Sequence, residues 1–456
     1  MKAAFCTLGC KVNSYETQAI KEQFFALGFE EAAFSEAADV YVINTCSVTQ
    51  IAERKSRQMI SRARRLSPGA VIAATGCYVQ ENPEKLISGT GVDLIVGNNE
   101  KSRLAFLVAN KLNEKGNFAA DQHRNEDKKP ERVQNTAVEV YDLMHCKEYE
   151  EQKISAAGDH VRAYIKIQDG CDRFCSYCII PYLRGRSRSR KADDIVSEAK
   201  ALASNGYKEV VITGIDISSF EVPNLEKGSG SLLFLIEKIA AVSGIERIRL
   251  GSLECSVITA KFLEGISRVS SFCAHFHLSL QSGSDDVLKR MNRRYTTQEY
   301  YEKVCLIREY FPEAAICTDI IAGFPGESEE EFEATCAFLR KAGFSRTHVF
   351  KYSKRKGTRA AEMPYQVDGN VKNLRSQRLI KITDELQREY EKRFIGKTVS
   401  VLFEEKTKDG FYTGFTREYV KIAAKSEEDL VNRIEDVIPL GFKDTKEGPL
   451  LYAEIK

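Results

Sequence analysis

Histidine is scarce in this chain, with 6 residues in 456. That argues against a histidine-rich metal site but leaves an all-thiolate one open. Charge of either sign is nearly balanced. Lys and Arg total 67 against 65 Asp and Glu, a formal +2, so a nucleic-acid surface has to be local rather than global. No apolar run is long enough to span a bilayer. The N-terminus lacks the basic start, apolar core and small-residue cleavage site of a secretory signal. A cytoplasmic location, with no membrane partner, is the expectation. Cysteine is abundant by contrast, at 13 residues. In a reducing compartment these do not form a disulfide framework. They are left as buried structural thiols, metal or iron–sulfur ligands, or redox and nucleophilic groups.

The length implies two or three domains. Residues 1–112 alternate strand and helix patterns. "AAFCTL", "DVYVINT", "AVIAATG" and "VDLIVG" read as strands. "SYETQAIKEQFFALG", with Ser14 as N-cap and Gly28 as stop, and "QIAERKSRQMISRARRL" read as helices. The alternation predicts an α/β domain with a doubly wound parallel sheet. Residues 113–156 are polar and weakly periodic and read as a connection with room for one strand. Residues 157–387 carry six further strands, "RAYIKIQ", "EVVITGI", "RIRLGSL", "HFHLSLQ", "AICTDIIAGF" and "RTHVFKYS". They predict a partial (β/α)6 barrel with its active site at the strands' C-terminal ends. Residues 388–456 alternate apolar and polar positions between Gly and Asp turns, as a small antiparallel β-module does.

The cysteines fall into two groups. Cys171, Cys175 and Cys178 form C-x3-C-x2-C in "DGCDRFCSYC", directly after the first barrel strand. Three closely spaced thiols in a reduced chain point to metal rather than to an incidental loop. Zinc would want a fourth ligand, and none is near in sequence. Three thiolates on a four-iron cluster leave one iron open to a small molecule. Cys10, Cys46 and Cys77 each follow one of the first three strands, in "TLGCKVN", "INTCSVT" and "ATGCYVQ". Strands of a parallel sheet point one way, so these ends converge on the crevice where such folds bind ligands. Asn13, Asn44 and Thr45 are candidates to bond cluster sulfurs there. Cys6 lies inside its strand and reads as core. Cys146, Cys255, Cys273, Cys305, Cys317 and Cys336 read as core or incidental thiols.

The C-x3-C-x2-C spacing at the mouth of a βα barrel resembles the radical S-adenosylmethionine (SAM) enzymes. The resemblance implies that the open iron chelates SAM, which is cleaved to a 5′-deoxyadenosyl radical. "TGID" would present Thr213 and Gly214 to the SAM amino group, "GSLE" would set Glu254 on the ribose, and "LSLQSGS" places Ser279 and Gln281 at the end of the fourth strand. "LRGRSRSRK" carries Arg184, Arg186, Arg188 and Arg190, which share one face if the segment is extended. Arg188 and Arg190 are the candidates for a role near SAM; the plain alternative is a solvated basic loop.

"TLGCKVNSYE", "NTCSVT", "TGCYVQ" and "TDIIAGFPGE" resemble segments of the methylthiotransferase family, and the likeness covers nearly the whole chain. It implies an auxiliary [4Fe-4S] cluster on Cys10, Cys46 and Cys77, a radical SAM [4Fe-4S] cluster on Cys171, Cys175 and Cys178, and a C-terminal TRAM-like RNA-binding β-barrel. It also implies two uses of SAM, one as methyl donor to sulfur and one as radical source. The partners implied are the tRNA anticodon stem-loop, a low-potential electron donor such as flavodoxin or ferredoxin, and iron–sulfur assembly machinery. Lys-Val-Asn after Cys10 looks most like the subfamily acting on N6-threonylcarbamoyladenosine at tRNA position 37. The alternatives are isopentenyladenosine at that position or a ribosomal-protein aspartate and, in a different class, a non-catalytic iron–sulfur RNA-binding protein. Lys397, Arg417 and Lys421, interleaved with Phe411, Tyr412, Phe415 and Tyr419, are the RNA-contact candidates in the tail; core aromatics beside a solvated face are the alternative. "RKSRQMISRARR" is a second basic stretch, either touching tRNA or forming the wet face of its helix.

Overall fold

The computed structural model describes residues 1–87, 91–122, 136–158, 160–445 and 448–456. The chain divides into two compact units. The first comprises Met1–Ile154, Asp169–Arg173 and Cys178–Arg188; the second comprises Ser155–Gln168, Phe174–Tyr177 and Ser189–Lys456.

The first unit is a parallel sheet of β1 (Lys2–Thr7), β2 (Glu30–Ala32), β3 (Val40–Thr45), β4 (Val71–Gly76), β5 (Leu94–Val96) and β6 (Ala137–Glu139) in the order β2-β1-β3-β4-β5-β6. Five helices belong with it: α1 (Lys11–Ala26), α2 (Gln50–Leu66), α3 (Cys77–Glu81), α4 (Pro83–Ile87) and α5 (Leu104–Gln122). Strand residues alternate between faces. Tyr41, Ile43, Ile72 and Ala74 pack with Ile60 and Ala63 of α2, while Val40, Val42, Val71 and Ala73 pack with Ile20 and Phe24 of α1 and Leu104 and Val108 of α5. β2 and β6 are three-residue edge strands with largely exposed side chains, too short to show a period in sequence. β6 falls within the connection expected over 113–156, of which 123–135 lie outside the described residues. The helix expected to begin after Ser14 starts at Lys11, with Cys10 at the N-cap. Gly9, at φ +107°, turns the chain straight out of β1 and makes the earlier start possible.

A sixth helix of the first unit is α6 (Ile180–Arg184), while β7 (Arg162–Asp169) and β8 (Arg188–Ser189) each cross the division of the chain. The second unit holds α7 (Ala192–Ser204), β9 (Glu209–Gly214), α8 (Ser229–Ala240), β10 (Arg247–Leu250), β11 (Ser252–Leu253), α9 (Ala260–Ser267), β12 (His275–Leu278), α10 (Asp285–Arg290), α11 (Thr297–Tyr310), β13 (Ala315–Ala322), α12 (Glu329–Ala342), β14 (Arg346–Lys351), α13 (Arg359–Glu362) and α14 (Gly369–Lys392). The strands order as β10-β9-β7-β8 and β11-β12-β13-β14. β10 and β11 are one strand bent at Gly251, so the two sheets follow each other as one open barrel wall. The helices start where side chains cap them: Thr296 with Glu299 and Ser328 with Glu331 form capping boxes on α11 and α12.

A closed barrel follows, with β15 (Val399–Lys406), β16 (Tyr412–Thr416), β17 (Lys421–Ala424), β18 (Ile434–Thr445) and β19 (Gly448–Ile455) in the order β15-β16-β17-β19-β18. Its pairings are antiparallel except β17–β19, which is parallel. Val401, Phe403, Ile422, Val437 and Leu451 fill it, with Tyr390 and Phe394 packed against them from α14 and the turn after it. No described helix is long and apolar enough to cross a membrane.

Candidate active site and metal centres

In the first unit the strand order reverses between β1 and β3, and ligands of such folds bind at the carboxyl ends of the strands at that point. Cys10 follows β1 and Cys46 follows β3, one on each side of it, and Cys77 opens α3 after β4. The backbone here admits no side chains beyond those present. A Cβ on Gly9 would stand 2.9 Å from Cys46 Sγ, and one on Gly76, at φ +95°, would overlap the Thr45 carbonyl oxygen and stand 2.6 Å from Asn44 Oδ1. Cys46 and Cys77 are buried; Cys10 is exposed by area, yet desolvation by the protein around it raises its thiol, against the pull of Arg184. Burial pushes Cys46 up to about 11. Cys77 raises both Cys10 and Cys46 further, and Cys10 adds to the rise at Cys46. Asn13 donates to the carbonyls of Leu8 (2.7 Å) and Thr45 (3.0 Å), tying the loops after β1 and β3 together, and Cys10 Sγ lies 3.8 Å from its Oδ1. Thr45 donates to the Thr75 carbonyl at 2.6 Å, tying the ends of β3 and β4.

Arg184 was expected on an extended strand with Arg186, Arg188 and Arg190. It is instead the last residue of α6, and Gly185 at φ +73° turns the chain after it. The four therefore share no face: Arg186 is exposed and the other three are buried. Arg184 Nη1 reaches Glu16 Oε1 (2.8 Å) and Asp169 (3.1 Å), and its Nη2 reaches Asn13 Oδ1 (2.9 Å). Lys101 pairs with Glu16 and with Asn98 Oδ1 at 3.0 Å, and Asn98 Nδ2 approaches Cys77 Sγ at 3.9 Å. Arg184 Nε–H is buried with no partner among the described residues, in the field of the thiols. A buried cation with a spare donor beside three convergent sulfurs suits an anionic iron–sulfur group. No three described His, Cys, Asp or Glu are grouped tightly enough for a single metal ion; a polynuclear cluster spreads its thiolates over several metal atoms. Ile179 and Leu183, just past Cys178, pack on Cys77.

The C-x3-C-x2-C stretch follows β7. On its first-unit side, Cys171 N–H donates to Gly185 O at 3.0 Å. On its second-unit side, Ser176 bonds the carbonyls of Met291 (3.0 Å) and Arg290 (2.8 Å), and Phe174 adopts φ 49°. Arg293 Nη1 lies 3.2 Å from Cys175 Sγ, while its Nη2 donates to both Glu254 oxygens at 2.7 Å and to Ser279 O at 3.1 Å. Thr213 and Gly214 end β9, and Gln168 Oε1 accepts from the N–H groups of Ile215 (3.1 Å) and Asp216 (2.7 Å) just beyond. Ser218 of that loop accepts from Glu254 N–H at 2.8 Å. Gln281 sits at φ 74°, a strained position for a residue with a side chain. Thr213, Gly214, Glu254, Ser279 and Gln281 thus all stand at one end of neighbouring strands. Arg190 is committed to a buried pair with Glu198 at 2.8 Å, and Arg188 Nη1 bonds the Arg186 carbonyl at 3.1 Å. Along β12–β14, His277 and Asp319 pair at 3.0 Å with the His348 ring 5.7 Å away, a polar row that no motif announced.

The cations expected to meet RNA in the tail are engaged within the chain. Lys397 pairs with Glu313, Lys421 lies 3.8 Å from Glu405, and Arg417 donates to the carbonyls of Ser270 and Phe272. Phe415 and Tyr419 stack at 4.5 Å, with Arg162 lying over both and Arg249 over Tyr419. Phe411 and Tyr412 are buried. Arg249 also bonds Glu209 (2.8 Å) and the carbonyls of Arg417 and Thr416, so these aromatics belong to the seam between the two barrels of the second unit.

Residues 165–339 match the Radical SAM superfamily, and residues 2–97 match an uncharacterized protein family, UPF0004. The threonylcarbamoyladenosine tRNA methylthiotransferase MtaB of Bacillus subtilis is 40% identical over 438 residues, covering 95% of this chain and 92% of that protein. A tRNA-2-methylthio-N(6)-dimethylallyladenosine synthase of Thermodesulfovibrio yellowstonii is 34% identical over 416 residues, 90% of each chain. Among solved structures, the radical S-adenosylmethionine methyltransferase TsrM of Kitasatospora setae, with cobalamin and a [4Fe-4S] cluster bound, shares the fold at a TM-score of 0.55 and 15% identity, over 79% of this chain and 77% of its own. By the extent of the MtaB match and the barrel's match to the superfamily, the chain belongs to the radical SAM tRNA methylthiotransferases.

Proposed function

We propose that this enzyme converts N6-threonylcarbamoyladenosine at position 37 of tRNA to its 2-methylthio derivative. The observation that carries this reading is the 40% identity to MtaB across 95% of the chain, against 34% to the dimethylallyladenosine enzyme. Lys-Val-Asn after Cys10 agrees with it.

The family's cofactors are SAM and two [4Fe-4S] clusters. Cys171, Cys175 and Cys178 would hold the SAM-binding cluster, and Cys10, Cys46 and Cys77 the auxiliary one. When bound, these groups supply a carbon-centred radical, sulfur and a methyl group. The chain's own residues orient and shield them. Thr213 and Gly214 would face the SAM amino group and Glu254 its ribose, with Ser279 and Gln281 beside them. Arg293, bonded to both Glu254 oxygens and to Cys175, holds that carboxylate in place. Arg184 offsets negative charge at the auxiliary site without admitting water.

Nucleoside mass spectrometry of tRNA from a deletion strain tests the substrate. The 2-methylthio form of threonylcarbamoyladenosine is expected to vanish and its precursor to accumulate. Its persistence, with loss of another methylthio product instead, overturns the assignment.

A further inference from the structure

The cations expected on the C-terminal barrel are spent inside the second unit, whereas α2 of the first unit presents cations with nothing to hold. The helix carries Arg54, Lys55, Arg57, Arg62, Arg64 and Arg65 against a single acid, Glu53. Ser56, Ile60 and Ala63 are its buried side. At 3.6 residues per turn, Arg57, Arg54, Arg65, Arg62 and Lys55 fan over roughly 160° of the opposite side. Arg64 falls off this fan and is engaged with the Gly91 carbonyl (3.0 Å) and Asp93 (2.6 Å). Arg54, Lys55, Arg62 and Arg65 are exposed and have no hydrogen-bond or ion-pair partner among the described residues.

Among themselves several of these cations repel. Arg54 with Arg57, and Arg62 with Arg65, are like charges three apart, which weaken an isolated helix. A polyanion laid along this face would relieve both pairs.

The helix is also tied to the auxiliary site. Ser56 Oγ accepts from Cys46 N–H and donates to Cys46 O, both at 3.3 Å. The Arg57 guanidinium lies 5.7 Å over the ring of Tyr78, the neighbour of Cys77. From Arg54 to Arg65 the face runs about 16 Å, long enough to follow several phosphates of one strand.

We propose that the exposed face of α2 docks the phosphate backbone of the tRNA substrate and so sets the RNA against the sheet edge that bears Cys46 and Cys77. The inference rests on the family's tRNA substrate and not on which adenosine derivative is modified.

The test uses the full-length reconstituted enzyme and an unmodified tRNA transcript, with binding titrated across salt. The variant R54Q/K55Q/R62Q/R65Q is expected to bind about tenfold more weakly or worse near 0.1 M salt. Its log–log salt slope should be shallower by about 3, as each lost phosphate contact removes ~0.7–0.9. R54K/R62K/R65K should keep the slope. The tRNA-independent cleavage of SAM should be unchanged in both, which reports a sound barrel. K200Q/K261Q/K289Q/K381Q removes as much charge from exposed positions elsewhere and should leave binding near wild type. Wild-type affinity and slope in the α2 variant, or an equal loss in the control, overturns the proposal. If the fourfold variant folds poorly, R62Q and R65Q singly should each lower the slope by about 1, and an unchanged slope in both counts against it. A nucleoside assignment to another adenosine derivative would leave this binding defect in place, so the two failures are told apart.

Discussion

A thiol that only fills space and a thiol that holds iron respond differently to removal. Cys46→Ala is expected to lower iron content by one cluster and abolish methylthio transfer, while SAM cleavage survives. Iron analysis beside a 5′-deoxyadenosine assay checks this, and loss of cleavage with full iron would contradict the division of labour. Arg184→Met leaves the Glu16 and Asp169 carboxylates buried with one cation fewer. The expected cost is on the order of 3 kcal/mol, read from the denaturant midpoint, with partial recovery in Arg184→Lys, which keeps the charge and loses the fork. Arg293→Gln leaves Glu254 without its bidentate partner and is expected to cut SAM cleavage about 10- to 100-fold, alongside a loss of stability of a few kcal/mol that Arg293→Lys should partly restore. The six cysteines proposed as cluster ligands stand out in the sequence because spacing, or a repeated place after strands, marks them. Arg184 and Arg293 do not. Their partners at Glu16 and Glu254 are 168 and 39 residues away, and nothing local distinguishes them from the arginines around them.

At the scale of elements, what positions the auxiliary cysteines is the closeness of strand ends. Gly76 follows Thr75 at the end of β4 against the Thr45 backbone, and any Cβ there meets that carbonyl. Gly76→Ala is therefore expected to shift the start of α3 and with it Cys77. It should cost at least about 2 kcal/mol from the positive φ and the overlap together, and it should lower retained iron; thermal unfolding and iron analysis read both. The longer elements were legible because the helices are apolar at a period of 3.6 and the inner strands are short apolar runs buried on both faces. β2 was not, being a three-residue edge, and β6 was foreseen only as room for one strand in the connection; nor was α6, whose short turn of helix interrupts the basic run expected to be extended. The tail's alternation of apolar and polar residues between Gly and Asp turns was legible as a β-module, but it does not say which aromatics are taken up inside the chain. Phe415 and Tyr419 are used by Arg162 and Arg249.

At the scale of the whole molecule, the second unit is held together by an arginine seam over Glu209. Burial works to raise that carboxyl, but Arg249, with Arg162 and Arg247, outweighs it and holds it below the ordinary range. A depressed carboxyl contributes stability above its unfolded value and loses it as pH falls through its folded one. The seam is expected to hold at neutral pH and to weaken only well into acid. Glu209→Gln should lower the melting temperature near pH 7 and flatten the acid limb down to about pH 3, as melting curves across that range will show. The division of the chain has a consequence for how the protein is made. Residues 169–173 and 178–188 belong to the first unit, although they are encoded after its sheet is complete. On the ribosome, the sheet emerges with Lys101 on Glu16 but without the Arg184 guanidinium that pairs it as well, and without the two apolar side chains that cover Cys77. The cover over Cys77 is therefore finished only by the segment that also carries Cys178, so the first unit closes late in synthesis rather than as soon as its sheet has emerged.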